Sequence, residues 1–265
     1  MASHDGVIAD RLRGLVGPDL LLITDFDGTL APIVPFPAHA RAIPGALPAL
    51  SQLTAHLGQV VILTGRSRLS LMVALGDDVP EGVRILCNYG ADDPRHPMPT
   101  EFESIVLLLE QITALHGQLP EGVMIEEKGS SVALHTRGAR QPVAALAQIS
   151  MVLGPVADEL GMDLQKGRDV IDIGIRFGGK AATVQRLLEE RSWSAAVMFG
   201  DDHSDLDAFD VLAGASIPTL TVGVESDEVP DVALRSTFTV SSPTEIAALI
   251  ADLVREVSVT DHPSR

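Results

Sequence analysis

The stretch LLITDFDGTLAP, residues 21–32, joins an apolar run to two aspartates that stand one residue apart. An apolar run without alternation is typical of a strand that is covered on both faces, as in a parallel sheet between helices. Asp25 and Asp27 follow that run directly, and two like charges so close repel each other. A bound divalent cation would offset the repulsion. The stretch therefore predicts a buried strand that ends at a metal site.

Four further apolar runs extend this strand pattern along the chain, at residues 59–64, 83–90, 195–200 and 219–224. Helix-like segments separate the first three runs, so strands and helices alternate. Such alternation predicts an α/β fold with a Rossmann-like, doubly wound parallel sheet.

The middle of the chain follows a different pattern. Between about residues 92 and 175 the sequence indicates two helices and two pairs of strands, which together make a small α+β unit. We therefore predict that residues 1–91 and 176–265 form the core domain and that residues 92–175 form a second domain inserted into it.

The composition narrows the classes of partner. The chain has 265 residues and a formal net charge of −17, which argues against nucleic acid and anionic membranes as partners. The single cysteine, Cys87, excludes an internal disulfide and suits a reducing compartment. The N-terminus lacks a signal-peptide pattern, and the apolar runs are too short to span a bilayer. We expect a cytoplasmic protein that acts on a small molecule. The sequence does not determine the oligomeric state, and a monomer is compatible with it.

Polar residues follow three of the predicted strands, at the sheet edge where ligands bind in open α/β folds. They are Asp25 and Asp27 after the first strand, Thr64, Gly65 and Arg66 after the second, and Asp201, Asp202 and Asp205 after the fourth. A calcium loop of the EF-hand type needs glycine at its sixth position, where a count from Asp25 gives Leu30. Helix capping needs only one acid. Oxygen ligands without histidine or cysteine favour Mg²⁺ over zinc.

These residue types suit the hydrolysis of a phosphate ester. A carboxylate bound to Mg²⁺ can attack phosphorus and form an aspartyl-phosphate. A second acid one residue away can protonate the leaving oxygen and then activate water. The Thr64 hydroxyl and Lys180 can hold the remaining phosphoryl oxygens as charge shifts. A lone lysine is ordinarily a solvated surface residue, but Lys180 opens a predicted helix, and a helix N-terminus favours an anion.

DFDGTLAP, LTGR, Lys180 and GDDHSDLDAF, in this order, resemble the four motifs of the haloacid-dehalogenase (HAD) superfamily of phosphohydrolases. The resemblance implies that Asp25 is the nucleophile and that Asp27 is the acid/base. It assigns roles to four more residues: catalysis to Thr64 and Lys180, and substrate binding to Gly65 and Arg66.

The same resemblance implies a metal site and a cap. Mg²⁺ would be held by the Asp25 carboxylate, the main-chain carbonyl of Asp27 and Asp201, and Asp205 would support a metal-bound water. Residues 92–175 would form a C2-type α+β cap over this site.

Two segments narrow the range of candidate substrates. DFDGTLAPIV and IEEKGSSVALHTR together resemble the trehalose-6-phosphate phosphatase family. In that family a Glu-x-Lys pair on a cap strand binds sugar hydroxyls, and Glu126 and Lys128 match the pair. Residues two apart on a strand point to the same face, as a shared ligand requires. Without the resemblance, a solvated ion pair on an exposed strand is the alternative.

The stretch VIDIGIRFGGKAA departs from the family pattern at three positions. Asp172 stands where a sugar-binding glutamate is expected, so we assign it to substrate binding with a shorter side chain. Gly174 replaces an arginine, and Gly179 replaces the aspartate before the catalytic lysine. These departures bear on the identity of the sugar rather than on the phosphatase chemistry.

The leading hypothesis is a Mg²⁺-dependent phosphatase that hydrolyses trehalose 6-phosphate, a phosphorylated disaccharide, through an aspartyl-phosphate. The alternative enzyme acts on a related disaccharide-like phosphate, such as the pseudo-disaccharide validoxylamine A 7′-phosphate. A phosphomutase would need a bisphosphorylated activator. A non-catalytic sugar-phosphate sensor would have no use for the acid/base Asp27.

Overall fold

The computed structural model describes residues 4–95, 102–128, 131–175 and 179–260. Its ten strands are β1 (Leu20–Thr24), β2 (Gln59–Leu63), β3 (Arg84–Leu86), β4 (Met124–Glu127), β5 (Ser131–His135), β6 (Met162–Gly167), β7 (Val170–Ile175), β8 (Ala195–Gly200), β9 (Thr219–Val224) and β10 (Phe238–Val240). Its helices are α1 (His4–Arg13), α2 (Ala46–Leu53), α3 (Arg68–Leu75), α4 (Phe102–Ala114), α5 (Pro142–Glu159), α6 (Gly179–Glu189), α7 (His203–Ala213), α8 (Val232–Arg235) and α9 (Pro243–Thr260).

Six strands form a parallel sheet in the order β10-β9-β8-β1-β2-β3. The predicted doubly wound α/β fold is confirmed. Strand β1 lies near the middle, where Thr24 pairs with Phe199 of β8 on one side and with Ile62 of β2 on the other. The end of β1 therefore projects from a well-supported part of the sheet.

Both faces of this sheet are buried, which explains why its strands are mainly apolar. Leu20 and Leu22 pack into a cluster on one face, and Leu21 and Ile23 pack into a second cluster on the other. All four side chains are buried. Each such burial contributes about 1.5–3 kcal/mol to the stability of the folded state.

The second sheet is antiparallel, in the order β4-β5-β7-β6, and its strands come from the middle of the chain. Helices α4 and α5 pack on it and share a separate apolar cluster with β5 and β7. We refer to β4–β7 with α4 and α5 as the cap. The predicted α+β unit is thus present, and its exact limits at residues 92 and 175 stay a prediction. Among the described helices we find none that combines the length and hydrophobicity of a bilayer-spanning segment.

Candidate active site

The carboxyl ends of β1, β2 and β8 face a pocket of about 120 Å³ that the cap covers. The predicted site residues that line it are Asp25, Asp27, Thr64, Gly65, Arg66, Glu126, Lys128, Lys180 and Asp201. Two more predicted site residues, Asp172 and Asp205, lie behind this lining. The sequence prediction therefore placed residues from five separate segments of the chain around one cavity.

Three buried carboxylates lie together at the pocket, two of them in its lining and the third, Asp205, behind it. Asp25, Asp201 and Asp205 each offer an oxygen, and these oxygens lie within 4.8 Å of one another. Burial raises the pKa of Asp25 and of Asp201 well above the ordinary value, and the neighbouring carboxylates raise both further. A group of carboxylates this close requires cations nearby to stay ionised.

The turn after β1 brings main chain against one of these acids. Gly28 has φ of +79°, and a Cβ there would lie 1.9 Å from the Asp201 Oδ2 atom. Only glycine fits, so the DFDG turn can approach the Asp201 carboxylate closely. Thr29 Oγ1 also donates a hydrogen bond to Asp201 Oδ1 over 3.1 Å. The donor set of three carboxylates, without sulfur or imidazole, fits Mg²⁺.

Lys180 is the cation inside the carboxylate group. Its Nζ atom lies 3.0 Å from Asp25 Oδ1 and 2.8 Å from Asp205 Oδ1. Burial would lower the pKa of the Lys180 ammonium, but the carboxylates of Asp205 and Asp25 outweigh it and hold that pKa well above its ordinary value. Lys180 therefore stays charged. It joins α6 to the end of β1 and to the first turn of α7.

Asp205 also holds the backbone of the turn after β8. Its Oδ2 atom accepts hydrogen bonds from the main-chain N–H groups of Asp201 and Asp202, over 3.0 and 3.2 Å. Together with Asp202, which caps α7, it makes a reciprocal capping box. The role predicted for Asp205 beside a metal-bound water stays a prediction.

Arg66 forms a two-pronged ion pair with Asp27. Its Nε atom lies 2.5 Å from Asp27 Oδ2, and its Nη2 atom lies 2.6 Å from Oδ1. Nη2 also donates to the Pro37 carbonyl over 2.9 Å. Such fork-shaped contacts fix orientation as well as distance. Arg66 therefore sets the direction of the Asp27 carboxylate in this structure.

The two predicted sugar-binding residues, Glu126 on β4 and Lys128 just after the end of β4, have different partners. The Glu126 carboxylate lies 2.8 Å from His135 Nε2 on β5, and this hydrogen bond lowers the pKa of Glu126. Lys128 reaches across to the core, where its Nζ atom donates to the Gly65 carbonyl over 2.8 Å. The same ammonium lies 2.5 Å from Asp172 Oδ2. Lys128 thus links the cap to the loop that carries Thr64.

Asp172 is buried, with 3% of its surface exposed; it is not part of the pocket lining, and its carboxylate contacts Lys128, which is. Its Oδ1 atom has no hydrogen-bond partner among the described residues. Substrate contact by Asp172 stays a prediction. In the structure Lys128 lies between Asp172 and the pocket.

Several residues of the pocket lining were not singled out from the sequence, among them Tyr89, His135, Arg137 and Arg168. Arg168, in the turn between β6 and β7, donates from Nη2 to Asp201 Oδ2 over 2.9 Å. Arg137 donates from Nη1 to the Val34 carbonyl of the core. Both guanidinium groups therefore join the cap to the core. No local pattern marks them, because their placement depends on how the cap strands pair.

A parallel α/β core with paired aspartates after its central strand, covered by an antiparallel cap, is the fold of HAD phosphatases. Solved structures share it. The Candida albicans trehalose-6-phosphate phosphatase C-terminal domain aligns with a TM-score of 0.74 and 20% identity, covering 96% of this chain and 97% of that one. The sucrose-phosphatase from Synechocystis sp. PCC6803 aligns with a TM-score of 0.59 and 16% identity, covering 91% and 98%. At these identities the likeness is one of fold.

Sequence comparison identifies the family. A family profile described as trehalose-phosphatase matches residues 102–244. The trehalose-phosphate phosphatase of Mycobacterium leprae is 30% identical over 253 residues, which cover 89% of this chain and 58% of the relative. That of Mycobacterium marinum is 30% identical over 275 residues, covering 96% and 68%. The chain belongs to the trehalose-phosphatase family, and it spans about 58% of the length of the M. leprae relative.

Proposed function

We propose that this protein is a Mg²⁺-dependent phosphatase that hydrolyses trehalose 6-phosphate to trehalose and phosphate. The observation that carries the proposal is the buried group of Asp25, Lys180 and Asp201 beneath a cap that presents Glu126. Its family membership and its relatives, which are named trehalose-phosphate phosphatases, support the same substrate.

The oxygen donors described above would hold Mg²⁺. They are the carboxylates of Asp25 and Asp201, with Asp205 behind them. The family resemblance adds the main-chain carbonyl of Asp27. When bound, Mg²⁺ supplies positive charge that offsets the charge of the phosphoryl oxygens. The raised pKa values of Asp25 and Asp201 are consistent with a site that requires such a cation.

In the first step the Asp25 carboxylate attacks phosphorus, and the bond from phosphorus to the sugar oxygen breaks. Lys180, 3.0 Å from Asp25, is placed to hold a phosphoryl oxygen together with the Thr64 hydroxyl. The sugar oxygen leaves with a proton from Asp27. The product of this step is trehalose, and the phosphoryl group remains on Asp25.

In the second step Asp27 takes a proton from a water molecule, which attacks phosphorus and frees Asp25. Arg66 N–H groups occupy both oxygens of Asp27 in the structure. The carboxyl must therefore release one of them before that oxygen can donate a proton. Arg66 acts as a positioning residue that sets the orientation of the Asp27 carboxylate before the reaction.

A phosphate-release assay tests this function. Trehalose 6-phosphate should be hydrolysed with a higher kcat/KM than glucose 6-phosphate or a pseudo-disaccharide phosphate. EDTA should lower the rate by about 100-fold or more, since the carboxylate group then lacks its cation, and added Mg²⁺ should restore it. A higher kcat/KM for the pseudo-disaccharide phosphate would show that this compound, and not trehalose 6-phosphate, is the preferred substrate. Binding of trehalose 6-phosphate without phosphate release would indicate a sensor.

Glu126→Ala should impair the disaccharide ester selectively. The His135 contact keeps Glu126 ionised and aimed at the pocket, so it can accept hydrogen bonds from sugar hydroxyls. We expect kcat/KM for trehalose 6-phosphate to fall by about 10–100-fold, and that for p-nitrophenyl phosphate by less than about threefold.

The matched control is Glu127→Ala, one residue along β4, where the side chain is exposed. This variant should keep both activities near those of the wild type. Equal losses on the two substrates in Glu126→Ala would place Glu126 outside the sugar pocket.

A further inference from the structure

Tyr89 is a buried residue of the pocket lining for which the chemistry above has no use. It lies in a tight turn after β3, at the sequence NYG, and 8% of its surface is exposed. Its backbone has φ of 57° and ψ of 24°, and Asn88 before it has φ of 49°. Two successive residues with side chains rarely adopt this left-handed conformation. Backbone outliers of this kind concentrate at functional sites.

The turn is held by the two catalytic segments that it lies between. The main-chain N–H groups of Asn88 and Tyr89 donate to the carbonyls of Arg66 and Thr64, over 2.8 and 2.9 Å. On the other side, Thr183 Oγ1 of α6 donates to the Tyr89 carbonyl over 2.8 Å. These contacts offset the unfavourable conformation and leave the Tyr89 ring little freedom. The ring is therefore fixed relative to both Thr64 and the helix that carries Lys180.

The Tyr89 side chain lies against Gly65, in the loop after β2, and reaches toward the cap. A Cβ at Gly65 would lie 2.7 Å from Tyr89 Cζ and 2.8 Å from its hydroxyl oxygen, so the ring rests directly on that glycine. A Cβ at Gly167, in the cap, would lie 3.5 Å from the same oxygen. The hydroxyl thus stands where core and cap meet. Under the proposed function, the sugar next to the reacting phosphate would lie at this boundary, because core and cap residues line the pocket together.

The Tyr89 hydroxyl is also available to donate a hydrogen bond to a ligand. Among the described residues it has no hydrogen-bond partner, and Tyr89 lines the active-site pocket. Burial raises the pKa of the Tyr89 phenol well above its ordinary value, and the Asp172 carboxylate raises it further. The phenol therefore keeps its proton and is a hydrogen-bond donor at neutral pH.

We propose that Tyr89 is a specificity residue whose hydroxyl donates a hydrogen bond to the sugar that carries the phosphate. This inference rests on the proposed function, because it takes the ligand to be a sugar phosphate. A site with a fixed hydrogen-bonding group discriminates against ligands that leave this group without a partner.

Tyr89→Phe tests the proposal, since it removes only the hydroxyl and keeps the ring on Gly65. The kcat/KM for trehalose 6-phosphate should fall about tenfold, the loss expected for one hydrogen bond. The loss on p-nitrophenyl phosphate, which has no sugar, should be clearly smaller. Thermal unfolding checks that the variant is folded. An unchanged kcat/KM on trehalose 6-phosphate, or equal losses on both esters, would overturn the proposal.

A spectroscopic measurement supplies a second readout. Tyr89 is the only tyrosine in the sequence, so 3-fluorotyrosine labels one site. In an Asp25→Asn background, the ¹⁹F resonance should shift when trehalose 6-phosphate is added and should move much less with inorganic phosphate. Equal shifts with both would show that Tyr89 senses the phosphate alone and would overturn the proposal.

Failure of the proposed function gives a different result. Wild-type protein would then release no phosphate from trehalose 6-phosphate. The kinetic and ¹⁹F comparisons would be made with the sugar phosphate that the wild type does hydrolyse. If it hydrolyses none, the Tyr89 proposal falls with the proposed function.

Discussion

Asp25→Asn is expected to abolish phosphate-ester turnover, with a loss of about 10⁴-fold or more, while the fold stays intact. The amide is a poor nucleophile, so no aspartyl-phosphate can form. Lys180 retains its 2.8 Å contact with Asp205. The substitution also removes one negative charge from the group of three carboxylates, which reduces their mutual repulsion. We therefore expect the melting temperature to remain the same or to rise. Phosphate release and thermal unfolding measure the two effects.

The control for Asp25→Asn is the same change at Asp77, an exposed residue away from the pocket. It should leave activity unaltered. Mass spectrometry of the acid-quenched wild type should also detect a phosphoryl group on the peptide that contains Asp25. Near-normal turnover in Asp25→Asn would rule out the covalent mechanism.

Lys180→Met should remove activity and also destabilise the protein by about 3 kcal/mol at neutral pH. The substitution leaves the buried carboxylates of Asp25 and Asp205 without their shared cation, and breaking a buried ion pair on one side is costly. Without this cation the pKa values of the two carboxylates rise in the folded state, whereas those in the unfolded state do not change. The folded variant therefore binds more protons, and its stability should recover relative to the wild type as the pH falls from about 7 to about 5.

Chemical denaturation at several pH values, in EDTA, measures this effect. The control is Lys166→Met, since Lys166 is exposed on β6 and lies outside the pocket lining. A Lys180→Met variant as stable as the wild type at neutral pH would show that the two carboxylates do not need Lys180. Retained activity would remove Lys180 from the proposed mechanism.

The core strands could be predicted from the sequence because a strand buried on both faces is apolar throughout, as residues 21–24 and 195–200 are. β10 was missed, since its three residues, Phe238–Val240, include a threonine and are too few to show a pattern. The predicted strand at 83–90 ends at Leu86, because Asn88 and Tyr89 turn into the left-handed region.

The core part of the candidate site could be predicted because its residues lie within a few positions of the end of a core strand or, for Lys180, at the start of a helix. In the cap, Glu126 and Lys128 were predicted as pocket residues from the family resemblance, but the contacts that hold the cap residues in place could not be predicted. Lys128 meets Asp172 44 residues further along the chain, and Arg168 meets Asp201 33 residues further along. Such pairs depend on strand register and on how the cap rests on the core. A motif shows which residue types are present, and it does not show that Asp172 lies behind Lys128.

The cap and the core have separate apolar interiors, and the cap interior is built only from cap residues. Polar side chains such as Lys128, Arg137 and Arg168 make the contacts between the two. Substitutions in one interior therefore have energetic effects that are largely independent of those in the other. A lineage can accumulate changes in the part that selects the sugar without loosening the strand that carries Asp25. The departures at Asp172 and Gly174 fall on β7, in the part of the molecule where such drift is tolerated.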